Sequence, residues 1–493
     1  MVGKVELEFL GTASGKPSTS RNVSSLALKN ADGSVWLFDA GEGTQHQLLK
    51  ASVKAKRVNR IFVTHLHGDH IFGLPGLLCS VGGAIASASA ADDKEEDECS
   101  RQKDPPNGLI EIIGPQGIRN FLRSSLSLSM SKLPFRLRIR ELIGVSALCE
   151  AMLASKMQQA GVTRAGTTTV KSGGGETVRA TFPVLDAVNP LSLLPLPKLY
   201  EEEPYGPLLS GSAAGSPRPS SGGYKHHPCP SSSLFDILPH NGVWTIPPFD
   251  DSLCAAKLRE GGGDRQSSPP PSGRDIAAAE FQVQAGPLLH TVPCVGYVLQ
   301  EPDRPGKLDG AAVMPFLKKN EKALREAGVA QPMSLMRNLK CGETLNLPDG
   351  TVLRPQDFVA PDIKGRRVSI LGDTYEPRGM LSLVRNSDVL VHEATNACLS
   401  EDLGPALLAA LQEAKTVKEM AAAVRQKQGR EEDVEHVARA HGHSTVRMAA
   451  RFAKEAGVRT LLLNHFSSRY TAGDTDEYTE VMSEIVQQAR EEL

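Results

Sequence analysis

The feature that most limits the fold is a cluster of metal-binding residue types directly after a short apolar strand. A strand is predicted over residues 60–64, and His65-Leu-His67-Gly-Asp69-His70 follows it. Three of the 13 histidines in the chain therefore fall within six positions, beside an aspartate. Imidazole and carboxylate groups suit Zn²⁺, and four candidates are too many for one closed tetrahedral ion. The pattern predicts a site for two metal ions.

Further candidate ligands stand at the ends of other predicted strands. His290 follows an apolar run, Asp373 ends the predicted strand 368–371, and His465 ends the predicted strand 460–463. A metal pair about 3.5–4 Å apart needs a bridging carboxylate and additional imidazoles. We therefore interpret these residues as ligands rather than as isolated polar groups at strand ends.

The organisation of the chain is that of an α/β domain with insertions. Short apolar strands alternate with helical patterns, such as those predicted over 43–53, 115–126, 445–456 and 474–492. We expect one domain over residues 1–493, interrupted by an acidic and Ala/Ser-rich insertion (84–106) and a long, largely disordered insertion (141–280).

Composition excludes some classes of function. The 55 Lys and Arg residues nearly balance 57 Asp and Glu residues, which excludes a globally basic coat protein for nucleic acid but not a locally basic channel. No stretch of 18 apolar residues occurs, so we expect no membrane association. The N-terminal residues resemble a strand rather than a targeting segment, so we expect a cytosolic location, with the nucleus as an alternative.

The order of the motifs resembles the short form of the RNase Z family, within the metallo-β-lactamase superfamily. The motifs that carry the resemblance are Phe38-Asp-Ala-Gly-Glu-Gly-Thr-Gln45, Thr64-His-Leu-His-Gly-Asp-His70, Leu371-Gly-Asp-Thr374, Val391-His-Glu-Ala-Thr395, His441-Gly-His-Ser-Thr445 and Asn464-His-Phe-Ser-Ser-Arg-Tyr470. The resemblance implies an αββα metallo-β-lactamase sandwich with an inserted substrate-binding arm, for which residues 302–358 are the matching stretch.

The same resemblance implies which residues hold two Zn²⁺ ions per chain. One ion would be bound by His65, His67 and His290, and the other by Asp69, His70 and His465. Asp373 would bridge the two ions.

Catalytic roles also follow from the resemblance. Asp69 matches the position that both binds metal and orients the nucleophile, while Glu393 and His443 match a pair in which the carboxylate orients the imidazole. A histidine suits the donation of a proton to the leaving 3′-oxygen near neutral pH. The alternative is that His443 merely precedes the N-cap of a helix, with Ser444 as the cap.

Substrate recognition is predicted only in outline. Arg21 and Asn22 match a substrate-binding loop, in which Thr19 stands where many family members have lysine. The arm carries nine Lys and Arg residues against seven Asp and Glu residues, and phosphate contacts of this kind would position RNA without reading its sequence.

The implied activity is hydrolysis of a phosphodiester in precursor tRNA. It would remove the 3′ trailer, leaving a 3′-hydroxyl on the tRNA and a 5′-phosphate on the trailer. The resemblance further implies a homodimer.

Three alternatives stay open at this point. The first is another hydrolase of the superfamily, such as a lactonase, a thioesterase or a small phosphodiesterase, which would lack the Glu393/His443 pair and the arm. The second is a diiron oxidoreductase, in which a glutamate would replace His67. The third is a non-catalytic scaffold, in which the ligands would have decayed.

Overall fold

The computed structural model describes residues 4–92, 108–159, 169–171, 177–179, 236–249, 281–304, 306–470 and 476–493. The chain divides into two compact units. The first comprises Met1–Ile246, Gln284–Val298 and Val368–Leu493, and the second comprises Pro247–Val283 and Leu299–Arg367. Most of the predicted insertions, 93–107 and the greater part of 141–280, lie outside the described residues.

The first sheet has six strands in chain order. They are β1 (Glu6–Gly11), β2 (Ser25–Lys29), β3 (Val35–Phe38), β4 (Val58–Phe62), β5 (Leu109–Pro115) and β6 (Arg136–Leu142). Strands β1 to β3 form an antiparallel meander, whereas β3 to β6 are parallel.

The second sheet also has six strands, in the order β16-β15-β14-β11-β10-β9. They are β9 (Trp244–Ile246), β10 (Gln282–Leu288), β11 (Cys294–Gln300), β14 (Arg367–Ile370), β15 (Val389–Glu393) and β16 (Leu461–Asn464). The last three strands are parallel, so their carboxyl ends lie at the same edge of the sheet. Two further pairs are short hairpins: β7 (Thr169–Lys171) with β8 (Thr177–Arg179), and β12 (Leu345–Asn346) with β13 (Val352–Leu353).

Helices connect the strands. Those before β7 are α1 (Thr44–Lys50), α2 (Gly68–Ile71), α3 (Leu74–Asp92), α4 (Ile118–Leu128) and α5 (Val145–Gln159). The second unit holds α6 (Gly310–Lys319), α7 (Glu321–Glu326), α8 (Leu335–Lys340) and α9 (Pro355–Phe358). The C-terminal part holds α10 (Leu381–Val384), α11 (Ser400–Leu403), α12 (Pro405–Glu413), α13 (Val417–Ala440), α14 (Val446–Ala456) and α15 (Asp476–Glu492).

The two sheets pack face to face, with helices on the outer faces. Between the sheets, the Tyr297 hydroxyl donates to the Val63 carbonyl (2.7 Å), and its ring lies 5.1 Å from that of Phe62. Outside the first sheet, α1, α3 and α4 contribute the buried residues Leu48, Leu74, Leu77, Leu78, Ile118 and Leu122. Outside the second sheet, α14 contributes Phe452, Ala453 and Ala456. This arrangement confirms the expected αββα sandwich.

The second unit has a small core of its own. Aliphatic side chains from its helices and its β-hairpin pack together, namely Val313, Leu317, Leu324, Leu339, Leu345, Leu347 and Leu353. The predicted arm, 302–358, falls within this unit.

Helix α3 extends further than the sequence indicated. The Ala/Ser-rich run from residue 84 continues the helix to Asp92, and alanine is the residue with the highest intrinsic helix propensity.

The segment Gly68–Ser87 is long and apolar enough to cross a membrane by length and composition, although 44% of it is buried. Core helices pass the same test, and Leu74, Leu77 and Leu78 of this segment belong to the core of the first sheet.

A buried charge cluster lies on the inner face of the first sheet. The Glu111 carboxylate accepts hydrogen bonds from Arg60 Nε (2.8 Å) and Arg140 Nε (2.6 Å), and Arg138 lies 3.4 Å away. All four side chains are nearly inaccessible to solvent. Three cations therefore share one carboxylate in the interior.

Replacing Glu111 by glutamine is expected to destabilise the first unit by about 3–5 kcal/mol, the usual result of removing one partner from a buried ion pair. A large drop in the thermal unfolding midpoint checks this expectation. The control is Glu6→Gln, which changes a partly exposed carboxylate paired with Lys4 and Lys29 and should leave the midpoint nearly unchanged. Equal midpoints for the two variants would contradict a stabilising role for the cluster.

Candidate metal centre

The seven predicted metal ligands and Glu393 stand at or just after the ends of strands or on a short helix, whereas His443 lies in the loop between α13 and α14. His65 and His67 follow β4, which ends at Phe62, two residues earlier than predicted. Asp69 and His70 lie on α2, the single helical turn that comes next. Other members follow strands of the second sheet: His290 after β10, Asp373 after β14, Glu393 at the end of β15 and His465 after β16.

The fold brings these residues together into two adjacent clusters. In each cluster the potential ligand atoms lie within 4.8 Å of one another. The clusters are His65/His67/His290 and Asp69/His70/His465. These are the two groups that the sequence resemblance implied for two ions.

Asp373 lies between the two clusters. Its Oδ2 atom is 3.8 Å from His65 Nε2, 3.5 Å from His70 Nε2 and 3.1 Å from His465 Nε2. A carboxylate in this position contacts both groups of imidazoles, as a bridging ligand must.

Hydrogen bonds on the outer side of the cluster fix the orientation of the histidine rings. His290 Nδ1–H donates to the Gly442 carbonyl (2.7 Å), and His70 Nδ1–H donates to Asp39 (2.7 Å). Each ring therefore directs its Nε2 atom into the site. Bonding of the second ring nitrogen to a carboxylate or carbonyl is typical of histidines that bind metals.

Inside the site, imidazole nitrogens face one another at short distances. His67 Nδ1 is 3.1 Å from both His65 Nε2 and His290 Nε2, and His70 Nε2 is 3.2 Å from His465 Nε2. Two lone pairs at such distances repel one another unless a proton or a metal ion lies between them. The donor set of imidazoles and carboxylates thus fits Zn²⁺ or a similar transition-metal ion.

The electrostatics of most buried groups agree with this fit. His70 is the exception: burial would lower its pKa, but the Asp373 and Asp39 carboxylates raise it well above its ordinary value, so His70 must lose a proton when it binds a metal. Burial would raise the pKa of Asp373, but the adjacent His465 and His70 lower it well below its ordinary value. Burial lowers the pKa of His290 to about 4, which favours the neutral form that binds metals. Burial would raise the pKa of Asp69, but the hydrogen bond with His465 and the nearby His70 and His465 rings together lower it.

The Glu393/His443 pair lies beside the clusters. His443 Nδ1–H donates to Glu393 Oε1 (3.1 Å), and His443 Nδ1 is 3.7 Å from Asp373 Oδ2. Burial would lower the pKa of His443, but the Glu393 carboxylate raises it to about 9. The imidazole is therefore oriented and charged through Nδ1, which leaves its Nε2 atom to act on another group.

The capping alternative for His443 depended on Ser444, and the structure corrects that assignment. The N-cap of α14 is Thr445, whose hydroxyl accepts from Met448 N–H (3.3 Å). The Ser444 hydroxyl instead donates to the Thr374 carbonyl.

Arg21 and Asn22 lie outside the two clusters. Arg21 donates to Thr12 Oγ1 (2.9 Å) and to the hydroxyl of Tyr478 (2.6 Å) on α15, and the Asn22 carbonyl accepts from Ala13 N–H (2.8 Å). The loop that carries them nevertheless borders the site, since Gly15 N–H donates to Asp69 Oδ2 (2.7 Å).

Sequence reasoning missed Asp39, a supporting residue of the site. Its carboxylate accepts from His70 Nδ1–H and from both the N–H (2.7 Å) and hydroxyl (2.8 Å) of Thr64. Its φ of 59° is unusual for a residue other than glycine. The available signal was its place in Phe38-Asp-Ala-Gly-Glu-Gly-Thr-Gln45, which was recognised as a motif without a role for the aspartate.

Comparisons with known proteins give one family model and several homologues of nearly full length. Residues 5–81 match the family model described as anti-Pycsar protein Apyc1. Ribonuclease Z of Streptococcus suis (strain 98HAH33) is 29% identical over 487 residues, covering 98% of this chain and 96% of the relative. Ribonuclease Z of Streptococcus pneumoniae serotype 19F (strain G54) is 29% identical over 473 residues, covering 95% and 92%.

Solved structures give weaker likenesses. Human tRNase Z, short form, is 23% identical with a TM-score of 0.43, covering 95% of this chain and 94% of that one. A long-form RNase Z from yeast is 15% identical with a TM-score of 0.38, covering 97% of this chain and 40% of that one. The sequence matches therefore carry the relationship: over nearly its whole length, the chain is homologous to bacterial proteins named ribonuclease Z.

Proposed function

We propose that this chain is a zinc-dependent endoribonuclease that removes the 3′ trailer from precursor tRNA. The observation that carries the proposal is the pair of adjacent His/Asp clusters around Asp373, with Glu393 and His443 beside them, in a homologue of ribonuclease Z. The products would be a tRNA with a 3′-hydroxyl and a trailer with a 5′-phosphate.

The proposed ligands follow the two clusters. His65, His67 and His290 would hold one Zn²⁺, Asp69, His70 and His465 would hold the other, and Asp373 would bridge them. When bound, two such ions make water acidic enough to attack at neutral pH and neutralise the charge that builds up on the phosphodiester.

The protein's own groups would position the nucleophile and supply a proton. Asp69 is ionised, and it is anchored by Gly15 N–H, so its carboxylate can orient the attacking water. His443 directs Nδ1 at Glu393, so its Nε2–H can donate to the 3′-oxygen as that oxygen leaves. Without a proton, this oxygen would depart as a strongly basic alkoxide, and a positioned acid avoids that.

Residues 302–358 are the proposed tRNA-binding arm. They belong to a unit with its own hydrophobic core. Among their nine Lys and Arg residues, Arg304, Lys319 and Arg325 pair with carboxylates, and we propose that phosphate contacts come from the basic side chains of this segment. We further propose that the enzyme is a homodimer in the cytosol or nucleus. A light-scattering mass of two chains would support the dimer, and a mass of one chain would contradict it.

The alternative functions have less support in the site. The Glu393/His443 contact favours the nuclease over other hydrolases of the superfamily, for which the sequence predicted no such pair. His67 stands where a diiron oxidoreductase would have glutamate, and its Nδ1 atom faces two other imidazoles. All seven proposed ligands lie close together in the site, whereas a non-catalytic scaffold would not need to keep all of them.

Incubation of the purified chain with a 3′-extended precursor tRNA tests the proposal. Cleavage at the 3′ end of the tRNA body is expected, and a chelator should abolish it because the proposed nucleophile depends on bound metal. Zinc added after the chelator has been removed should restore cleavage. Failure of the zinc-loaded protein to cut the precursor, or full activity of the metal-free protein, would contradict the proposal.

A further inference from the structure

The Thr395 side chain lies between the two His/Asp clusters and the Glu393/His443 pair. It follows β15 by two residues and is buried. Its Oγ1 atom lies 2.6 Å from Glu393 Oε2 and 3.0 Å from His465 Nδ1. One hydroxyl thus contacts both the carboxylate that orients His443 and a histidine of the second cluster.

The direction of these hydrogen bonds follows from the number of protons. Glu393 is surrounded by donors: its oxygens accept from Thr374 N–H (2.8 Å), His443 Nδ1–H (3.1 Å) and Thr395 N–H (3.3 Å). A carboxylate in such surroundings accepts only, so the Thr395 hydroxyl donates its single proton to Glu393. The distance of 2.6 Å is typical of a charge-assisted O–H···O⁻ bond.

His465 must then be the donor in the other contact. Because the Thr395 hydroxyl donates its single proton to Glu393, its Oγ1 atom can only accept from His465 Nδ1–H. The His465 carbonyl, also 3.0 Å from Oγ1, competes for the proton as a neutral and more distant acceptor. With Nδ1 protonated, His465 presents the lone pair of Nε2 to the site, where Asp373 Oδ2 lies 3.1 Å away.

The same arrangement recurs on the first sheet. There the Thr64 hydroxyl donates to Asp39 Oδ2 (2.8 Å) and accepts from His65 Nδ1–H (3.0 Å). Each sheet therefore supplies a carboxylate, a threonine hydroxyl and a cluster histidine in that order. The difference lies in the other histidine that the carboxylate contacts: Asp39 contacts His70, a proposed ligand, whereas Glu393 contacts His443, which is not one.

We propose that Thr395 is a positioning residue that aligns His465 for metal binding and Glu393 for orienting His443 through one hydroxyl group. The role of Thr395 toward Glu393 and His443 rests on the proposed function, whereas its role in aligning His465 for metal binding does not. Loss of the hydroxyl should therefore weaken metal retention and slow turnover together, although Thr395 touches neither substrate nor metal.

The variants Thr395→Val and Thr395→Ser distinguish the effect of the hydroxyl group from the effect of the side-chain shape. Valine keeps the volume and removes the hydroxyl, whereas serine keeps the hydroxyl and removes a methyl group. The control is Thr44→Val, which removes an equally buried hydroxyl that donates only to the Gly41 carbonyl (2.7 Å). Zinc-loaded proteins are titrated with a competing chelator, and kcat and KM are measured separately on precursor tRNA.

T395V is expected to bind zinc more weakly by about 10–100-fold and to lose kcat by a similar factor, the usual cost of removing a partner of a metal ligand, with little change in KM. T395S should stay close to the wild type in both measurements, as should T44V. Wild-type zinc retention in T395V, or equal defects in T395V and T395S, would overturn the inference. If T395V does not fold, Thr395→Ala, which only removes atoms, takes its place.

The chelator titration needs no RNA, so it separates this inference from the proposed function. If the wild type fails to cut precursor tRNA, the proposed function is wrong, but the role of Thr395 toward the metal is still decided by zinc retention.

Discussion

Asp69→Ala is expected to reduce cleavage of precursor tRNA by at least about 10³-fold, because it removes two contributions at once. One is a proposed ligand, whose Oδ2 atom lies 3.3 Å from His465 Nε2. The other is the carboxylate that would orient the attacking water. Single-turnover rates together with metal content per chain measure both effects, and we expect the metal content to fall as well.

An exposed aspartate provides the control for this variant. Asp32→Ala removes a side chain that only closes a turn with Ser34, so cleavage and metal content should match the wild type. If Asp69→Ala retained both full metal content and the wild-type rate, Asp69 would be neither ligand nor orienting group.

His443→Ala is expected to slow cleavage by roughly 10²–10⁴-fold, the usual contribution of a positioned general acid. The metal content should not change, because His443 is not among the seven proposed ligands and its Nδ1–H is engaged by Glu393 (3.1 Å), although its ring lies beside those of His290 and His465. A substrate in which sulfur replaces the leaving 3′-oxygen needs no proton. With that substrate the defect of His443→Ala should largely vanish, whereas that of Asp69→Ala should persist.

The same loop contains a matched control histidine. His441 is exposed, and its Nδ1–H donates to the Val437 carbonyl (2.9 Å) at the end of α13, away from Glu393. His441→Ala should therefore cleave both substrates at the wild-type rate. Wild-type activity of His443→Ala on natural precursor tRNA would refute the role of proton donor.

The positions of the clustered ligands could be predicted where local spacing carries the information. His65 to His70 form one short segment after a strand, and such a segment is recognisable without knowledge of the fold. His290, Asp373 and His465 are far apart in the sequence, and each alone resembles an ordinary polar residue at a strand end. From the sequence, only the family resemblance grouped them. In the structure, the parallel order of β14, β15 and β16 places Asp373 and His465 at one edge of the second sheet, and His290 follows β10 of the same sheet.

The supporting hydrogen bonds could not be predicted, because they depend on tertiary geometry. Asp39 follows β3 and contacts His70 only because β3 and β4 are neighbours, which brings the two loops together. Thr395 reaches His465 across 70 positions for the same reason, since β15 pairs with β16. Threonine and aspartate are common after strands, so neither residue type was a signal by itself.

Helices in polar or low-complexity stretches were the other difficulty. The Ala/Ser run in α3 indicated an insertion, although alanine favours helix wherever the chain can continue one. Helix α13 is 24 residues long and mostly solvated, and its Thr416 capping box, completed by Glu419, was its clearest local signal.

The chemistry of the cut ends shows whether water attacks the phosphodiester, as proposed. We expect a 3′-hydroxyl on the tRNA and a 5′-phosphate on the trailer. A precursor with 2′-deoxyribose before the scissile bond should give the same ends, because water rather than the RNA's own 2′-hydroxyl attacks. A 2′,3′-cyclic phosphate, or loss of cleavage with the deoxy substrate despite normal binding, would contradict the account.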